Sequence, residues 1–137
     1  MTTVSAEASG LHPDRYPFRR TETVRFNDCD PLGHVNNATF STYLEEARID
    51  ILRDFNGFIL ARVEIDFRSQ LAVGEEVTIE SRCSSVGTTS FALEHRVLAS
   101  GRLVAEAMSV MVSYDYAAGE SVPVPSAVVA RLMPPSL

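Results

Sequence analysis

One stretch of this chain repeats its apolar residues at helical spacing, and nearly everything after it repeats them at two. Phe40, Leu44, Ala47 and Ile51 recur at four- and three-residue steps with Tyr43 beside them, which defines one face of a helix. Asn36 and Asn37 offer a cap before it, and Asn56-Gly57 supplies the left-handed residue that commonly ends a helix, so the spacing predicts a helix to about Phe55. From there the period changes. Leu60, Val63, Ile65 and Phe67 fit a strand with an irregular start within Phe58 to Gln70. Val77 and Ile79 alternate with Thr78 and Glu80 in Glu75 to Val86, and Phe91, Leu93 and Val97 alternate with polar residues in Ser90 to Ala99. Arg102 to Tyr114 makes a fourth long run. Gly74, Gly87 and Ser100-Gly101 fall between the runs, where tight reversals need a permissive backbone. Ahead of the helix, Thr21 to Phe26 reads as a first strand, with Val24 and Phe26 on one face. Pro123 and Pro125 close the sheet, and Ala127 to Met133 predicts a short closing helix.

One strand, one long helix and four strands in succession give an α+β chain: an antiparallel sheet of about five strands wrapped on one long helix, because the helix has no other apolar partner. Edge strands of such a sheet need protection, and edge-to-edge pairing of copies is a common solution, so a homodimer or homotetramer is expected. The 137 residues allow a single domain, assigned to residues 21–137, with residues 1–20, which carry Gly10, Pro13 and Pro17 without any period, set aside as a flexible N-terminal arm.

Composition removes whole classes of function. The formal net charge is −6, which argues against nucleic acid or an anionic membrane as partner. All 12 basic residues are arginine, so a Schiff base, a lysine general base and a Walker-type phosphate loop are excluded. The apolar run from Leu103 to Val112 is broken by Glu106, so no membrane span is expected. The first ten residues lack a basic and an apolar region, and Cys29 and Cys83 have no metal-ligand spacing. These features predict a cytoplasmic protein with reduced thiols, no metal and no organic cofactor.

The polar residues concentrate in Asn27, Asp28, Cys29, Asp30, Pro31, Leu32, Gly33, His34, Val35, Asn36 and Asn37, between first strand and helix. A helix amino terminus presents unpartnered N–H groups and a partial positive charge, which can polarise a carbonyl or hold an oxyanion. A carboxylate beside it can attack an ester or thioester carbonyl or activate a water. Read alone, Asp30 before Pro31 is also ordinary turn chemistry, Asp28 is a turn former, and Asn36 and Asn37 are helix caps.

FNDCDPLGHVNN followed by FSTYLEEAR resembles the signature of the hot-dog-fold acyl-CoA thioesterases of the 4-hydroxybenzoyl-CoA thioesterase type, D-x-D-x-x-G-H/I-V ahead of a helix with Y-x-x-Y-x-E-x-A-R. DFRSQLAVGEEV and SVGTTSF resemble the family's later strand and hairpin, and the resemblance runs from Thr21 to Arg131. It implies hydrolysis of an acyl-CoA or acyl-carrier thioester, with Asp30 as nucleophile or general base; His34 either orients the thioester or a water or hydrogen bonds within the loop. It also implies backbone donors on Gly33, Val35, Asn36 and Asn37, and an acyl pocket at the interface between copies. Phe40 stands where the family often has tyrosine. For the phosphorylated adenosine of CoA, Arg68, Arg82, Arg96 and Arg102 are candidates, Arg68 foremost, although each reads more plainly as a solvated surface charge; Ser90 matches the serine of the family's hairpin, which either contacts the pantetheine arm or only shapes the strand. A related group places its acid on the helix after an H-G-G stretch; that stretch is missing, so Glu45, paired with Arg48 or Tyr43, is expected to be a structural ion. Two alternatives stand beside hydrolysis: an enoyl-CoA hydratase of the same fold, whose motif Asp28 to Leu32 nearly reproduces, and a non-catalytic acyl-CoA-binding module.

Overall fold

A computed structural model describes residues 15–133 and the backbone of Val4–Ser5. In chain order the elements are β1 (Val4–Ser5), β2 (Phe18–Thr23), α1 (Asn37–Leu52), β3 (Phe58–Phe67), β4 (Glu76–Val86), β5 (Ser90–Ala99), β6 (Arg102–Asp115), β7 (Glu120–Ser121) and α2 (Ser126–Leu132). Strands β1 to β6 make one antiparallel sheet. β5 lies at its centre between β4 and β6, β3 follows on the far side of β6, and β1 and β2 share the outer side of β4. β7 is a short return against the end of β6.

The inward face of the sheet is the one the alternation marks. Val77, Ile79 and Cys83 on β4, Phe91, Leu93, Val97 and Ala99 on β5, and Val104, Ala105 and Met111 on β6 are buried. α1 lies against them with Phe40, Tyr43, Leu44, Ala47 and Ile51, and α2 closes the other end with Val128 and Leu132. This is the hot-dog arrangement, a sheet wrapped on one long helix, and it buries both apolar faces by a single contact.

Three boundaries differ from the sequence reading. The first strand is Phe18–Thr23, three residues earlier than expected, because it takes its register from β4, pairing Phe18 with Ser81 and Thr23 with Glu76. Residues 18–20, assigned to the arm, therefore belong to the sheet; residues 1–3 and 6–14 of that arm lie outside the described residues. Phe26 is not on the strand face with buried Val24. It opens a 3₁₀ turn, Phe26–Asp28, and is 82% exposed. α1 ends at Leu52 rather than Phe55, and Phe55 N–H then turns back to the Leu52 carbonyl. Gly57 has φ +81° with its Cα against the Tyr114 carbonyl, so its missing side chain serves that close approach and not the helix end.

The irregular start expected for β3 is a bulge: the register with β6 shifts between Leu60 and Arg62. On its far side β3 has no strand partner among the described residues.

Candidate active site

The loop between β2 and α1 is shaped by Asp28. This buried carboxylate accepts hydrogen bonds from the Arg25 N–H (2.9 Å), the Arg25 guanidinium (3.3 Å) and the Tyr43 hydroxyl (2.8 Å). Burial pushes its pKa up, but the three donors outweigh burial and hold it below the ordinary value. Burial and the bond to Asp28 push the Tyr43 phenol well up, so it remains a donor. Asp28 is thus structural, and its own carbonyl accepts the Asn36 N–H at 2.9 Å, tying the loop to the start of α1.

Asp30 comes next. Its Oδ1 accepts the N–H groups of Leu32 (2.9 Å) and His34 (3.3 Å), and its Oδ2 has no hydrogen bond among the described residues. Gly33, at φ +84°, makes the reversal that brings the His34 carbonyl back to the Asp30 N–H. One carboxylate oxygen is therefore clamped and the other is open. Asp30, His34, Asn36, Asn37, Phe40 and Phe67 line a cavity of about 520 Å³ at this end of the molecule. Phe40 and Phe67 meet edge to face across it, centroids 5.1 Å apart.

Of the four backbone donors expected at the helix start, three are turned inward. Gly33 N–H goes to the Asp30 carbonyl, Val35 N–H to the Leu71 carbonyl and Asn36 N–H to the Asp28 carbonyl. Gly33 is taken up by the turn on Asp30 itself, while the bridges Cys29 to Val35 and His34 to Ala72 consume the Asn36 and Val35 groups. Asn36 is the N-cap, its side chain accepting the Ala38 N–H at 2.9 Å. That leaves the Asn37 N–H, at the first helical position, as the donor without a partner among the described residues.

The remaining expected contacts separate. Arg68 lines the cavity but its guanidinium is paired with Glu106 at 2.9 Å. Arg82 and Arg96 pair with Glu94 and Glu80 beneath the Tyr16 ring, and Arg102 pairs with Glu75. None of these three lines the cavity. Ser90 does not reach it either: it starts β5 beside Gly87, whereas the Asp30 loop sits at the other end of the sheet, about 30 Å along the strand. Glu45 is exposed and makes no direct ion pair among the described residues, its charge acting on Arg48 only at longer range; Tyr43 is taken by Asp28, and Arg48 turns to Ser109. Glu46 approaches Arg20 at 3.7 Å.

One buried polar group went unread. His95 lies on the inward face of β5 between Leu93 and Val97, its ring sharing hydrogen bonds with Ser81 (2.7 Å) and Ser109 (3.0 Å). Burial, and secondarily the charge of Arg48, push its pKa down to about 3. Strict alternation through Leu93 and Val97 already puts position 95 inside, so the signal was present. No group of three or more His, Cys, Asp or Glu side chains among the described residues could hold a metal ion, and no helix among them is long and apolar enough to cross a membrane.

A hot-dog domain with a half-clamped carboxylate at the amino end of its long helix defines a class. The chain belongs to the thioesterase-like superfamily, whose family model matches residues 24–132. A thioesterase from Thermus thermophilus, solved in complex with coenzyme A and Zn, is 36% identical, superposes with a TM-score of 0.80, and is matched over 87% of this chain and 93% of its own. A predicted thioesterase from Bacillus stearothermophilus is 26% identical with a TM-score of 0.80, matched over 84% of this chain and 92% of its own. The uncharacterized protein YsmA of Bacillus subtilis (strain 168) is 31% identical over 88 residues, a match covering 58% of this chain and 60% of the relative's length.

Proposed function

We propose that this protein hydrolyses acyl-CoA or acyl-carrier thioesters, with Asp30 as the catalytic carboxylate. The observation that carries this reading is the asymmetry of Asp30: Oδ1 is held by two backbone N–H groups, Oδ2 accepts none among the described residues, and Asp30 lines a cavity together with Asn37, whose N–H has no partner among them. The thioester carbonyl oxygen lies against Asn37 N–H, where the positive end of α1 favours developing negative charge. As general base, Oδ2 removes a proton from water as the water adds to the carbonyl carbon; the tetrahedral intermediate then expels the thiolate, which takes up a proton. As nucleophile, Oδ2 adds to the same carbon, expels the thiolate and leaves a mixed anhydride that water cleaves. Both routes need the same placement. Label found in the Asp30 side chain after a single turnover in heavy-oxygen water would establish the second route, which alone lets water add at the aspartyl carbon. His34 lines the cavity and orients the thioester or the attacking water.

A second copy completes the site. β3 offers an edge without a strand partner among the described residues, and Leu60 (39% exposed), Val63 (37%) and Phe67 (43%) leave an apolar strip beside α1 that pairing along β3 would roof over. The homo-oligomer reading predicts a dimer or tetramer by light scattering.

The test is thiol release from short, long and aromatic acyl-CoAs. Turnover of at least one supports hydrolysis. Binding of several with no thiol released would instead make the protein an acyl-CoA-binding module.

A further inference from the structure

The core holds a cation that no carboxylate among the described residues pairs with directly, although the charge of Glu45 acts on it at longer range. Arg48 on α1 is only 6% exposed, yet its single hydrogen bond is from NH1 to the Ser109 hydroxyl at 3.1 Å, and no carboxylate among the described residues lies within ion-pair distance. A buried charge without a counter-ion is costly, so such groups are normally paired. Among the described residues the fully enclosed side-chain N–H without a partner is on Arg82, so the remaining Arg48 N–H groups keep a narrow opening. Arg48 lines a second cavity of about 390 Å³ with Ile49, Leu52, Arg53, Phe58 and Leu60, and Glu45 is at its rim. Two arginines against one glutamate leave it net positive, and Arg53 at the end of α1 offsets the negative pole of the helix there.

Between this cavity and the Asp30 site runs the inner face of β3, which we take as the floor of a groove. Leu60, Val63, Ile65 and Phe67 face the same side as their β6 partners Met111, Ser109, Ala107 and Ala105. Phe67 therefore lines the Asp30 cavity, Leu60 lines the Arg48 cavity, and Val63 lies between them opposite the serine that holds Arg48. Along α1, Phe40 and Arg48 are about 12 Å apart. The guanidinium is fixed from behind: Ser109 is braced by His95, and His95 by Ser81. An apolar groove running from a reactive centre to an oriented, unpaired guanidinium suits a chain with an acid at its far end.

We propose that this groove carries the acyl portion of the substrate and that Arg48 binds a carboxylate at its distal end, which makes monothioesters of dicarboxylic acids the preferred class. The inference rests on the thioester reading above and extends it to the acyl group. His95 and Ser109 are positioning residues for Arg48.

The test compares octanedioyl-CoA, acylated at one end, with octanoyl-CoA, in the wild type and in Arg48→Met and Arg48→Lys. The wild type should favour the dicarboxylic substrate in kcat/KM by about tenfold or more, as a charge-assisted bond at a desolvated site implies. Arg48→Met should erase that ratio and Arg48→Lys should keep part of it. A wild type that favours octanoyl-CoA, or a ratio unchanged in Arg48→Met, overturns the proposal. Calorimetry with free octanedioate and octanoate needs no turnover and no variant: tighter binding of octanedioate by the wild type supports the Arg48 site even where no thioester is cleaved. Thioester cleavage with equal binding of the two acids keeps the hydrolase and removes the Arg48 site.

Discussion

Tyr43→Phe isolates the contact that ties the reactive loop to α1. The change deletes one hydroxyl and leaves the ring's packing on Phe40, centroids 6.0 Å apart, in place. What is lost is a 2.8 Å hydrogen bond to a buried, ionised carboxylate, a kind worth about 1.5–3 kcal/mol. Asp28 keeps both Arg25 donors, which sets the expected cost near the lower half of that range, about 2 kcal/mol. At about 0.3 kcal/mol per kelvin of unfolding entropy for 137 residues, Tm should drop by about 7 °C. The pH dependence has a definite sign. The folded-state pKa of Asp28 lies below its ordinary 3.8, so its stabilisation is present above 3.8 and is lost as pH falls through the lower folded value. Scanning calorimetry of both proteins at neutral pH and on acidification should show the gap at pH 7 and its narrowing in acid. A Tm within about 1 °C of wild type at pH 7 would refute the claim that Tyr43 holds this carboxylate.

His95 is neutral when folded, with a pKa near 3 against an ordinary 6.5, so its contribution is full above 6.5 and lost as pH falls toward 3. Between about pH 7 and pH 5, urea titrations should show the wild type losing about 2 kcal/mol more than His95→Gln; parallel losses would mean His95 is not held neutral. Gly57 and Gly74 both have positive φ, but a Cβ at Gly57 would sit 2.7 Å from the Tyr114 carbonyl oxygen, while at Gly74 it meets nothing within 4 Å. Gly57→Ala should therefore cost at least about 1 kcal/mol more than Gly74→Ala in denaturant unfolding, and equal costs would contradict the close approach. Asn36→Ala removes the cap on α1 and should cost about 1 kcal/mol by the same measurement; no change would mean the cap bond carries nothing.

The fold was legible because its strands obey a local rule. Each inward position on β4 and β5 that alternation picks out is buried, on β6 all but the partly buried Ala107 are, and the helix face of Phe40, Leu44, Ala47 and Ile51 is the face that packs. Where the reading slipped, a partner distant in sequence decided the outcome. β2 starts at Phe18 because β4 offers register there, a fact no local pattern contains. In the site, the clustering of Asn27 to Asn37 at the start of α1 was readable, but the fate of individual N–H groups was not. The Leu71 carbonyl takes Val35 and the Asp28 carbonyl takes Asn36, leaving Asn37. Ser90 was drawn to the site by likeness of motif, yet the direction of β5 carries it to the opposite end of the sheet. Arg48 was given Glu45 as partner because three residues separate them on a helix, whereas packing sends its guanidinium inward to Ser109.

The account stands on Asp30 as the group that acts on the thioester. Asp30→Asn keeps the side chain's size and an oxygen able to accept from the Leu32 and His34 N–H groups, so the loop should hold and Tm should stay near the wild-type value. With whichever acyl-CoA the wild type cleaves best, single-turnover thiol release should slow by roughly 10²–10⁴-fold while affinity for that acyl-CoA stays close to wild type. Release at the wild-type rate from a correctly folded Asp30→Asn protein would contradict the central claim.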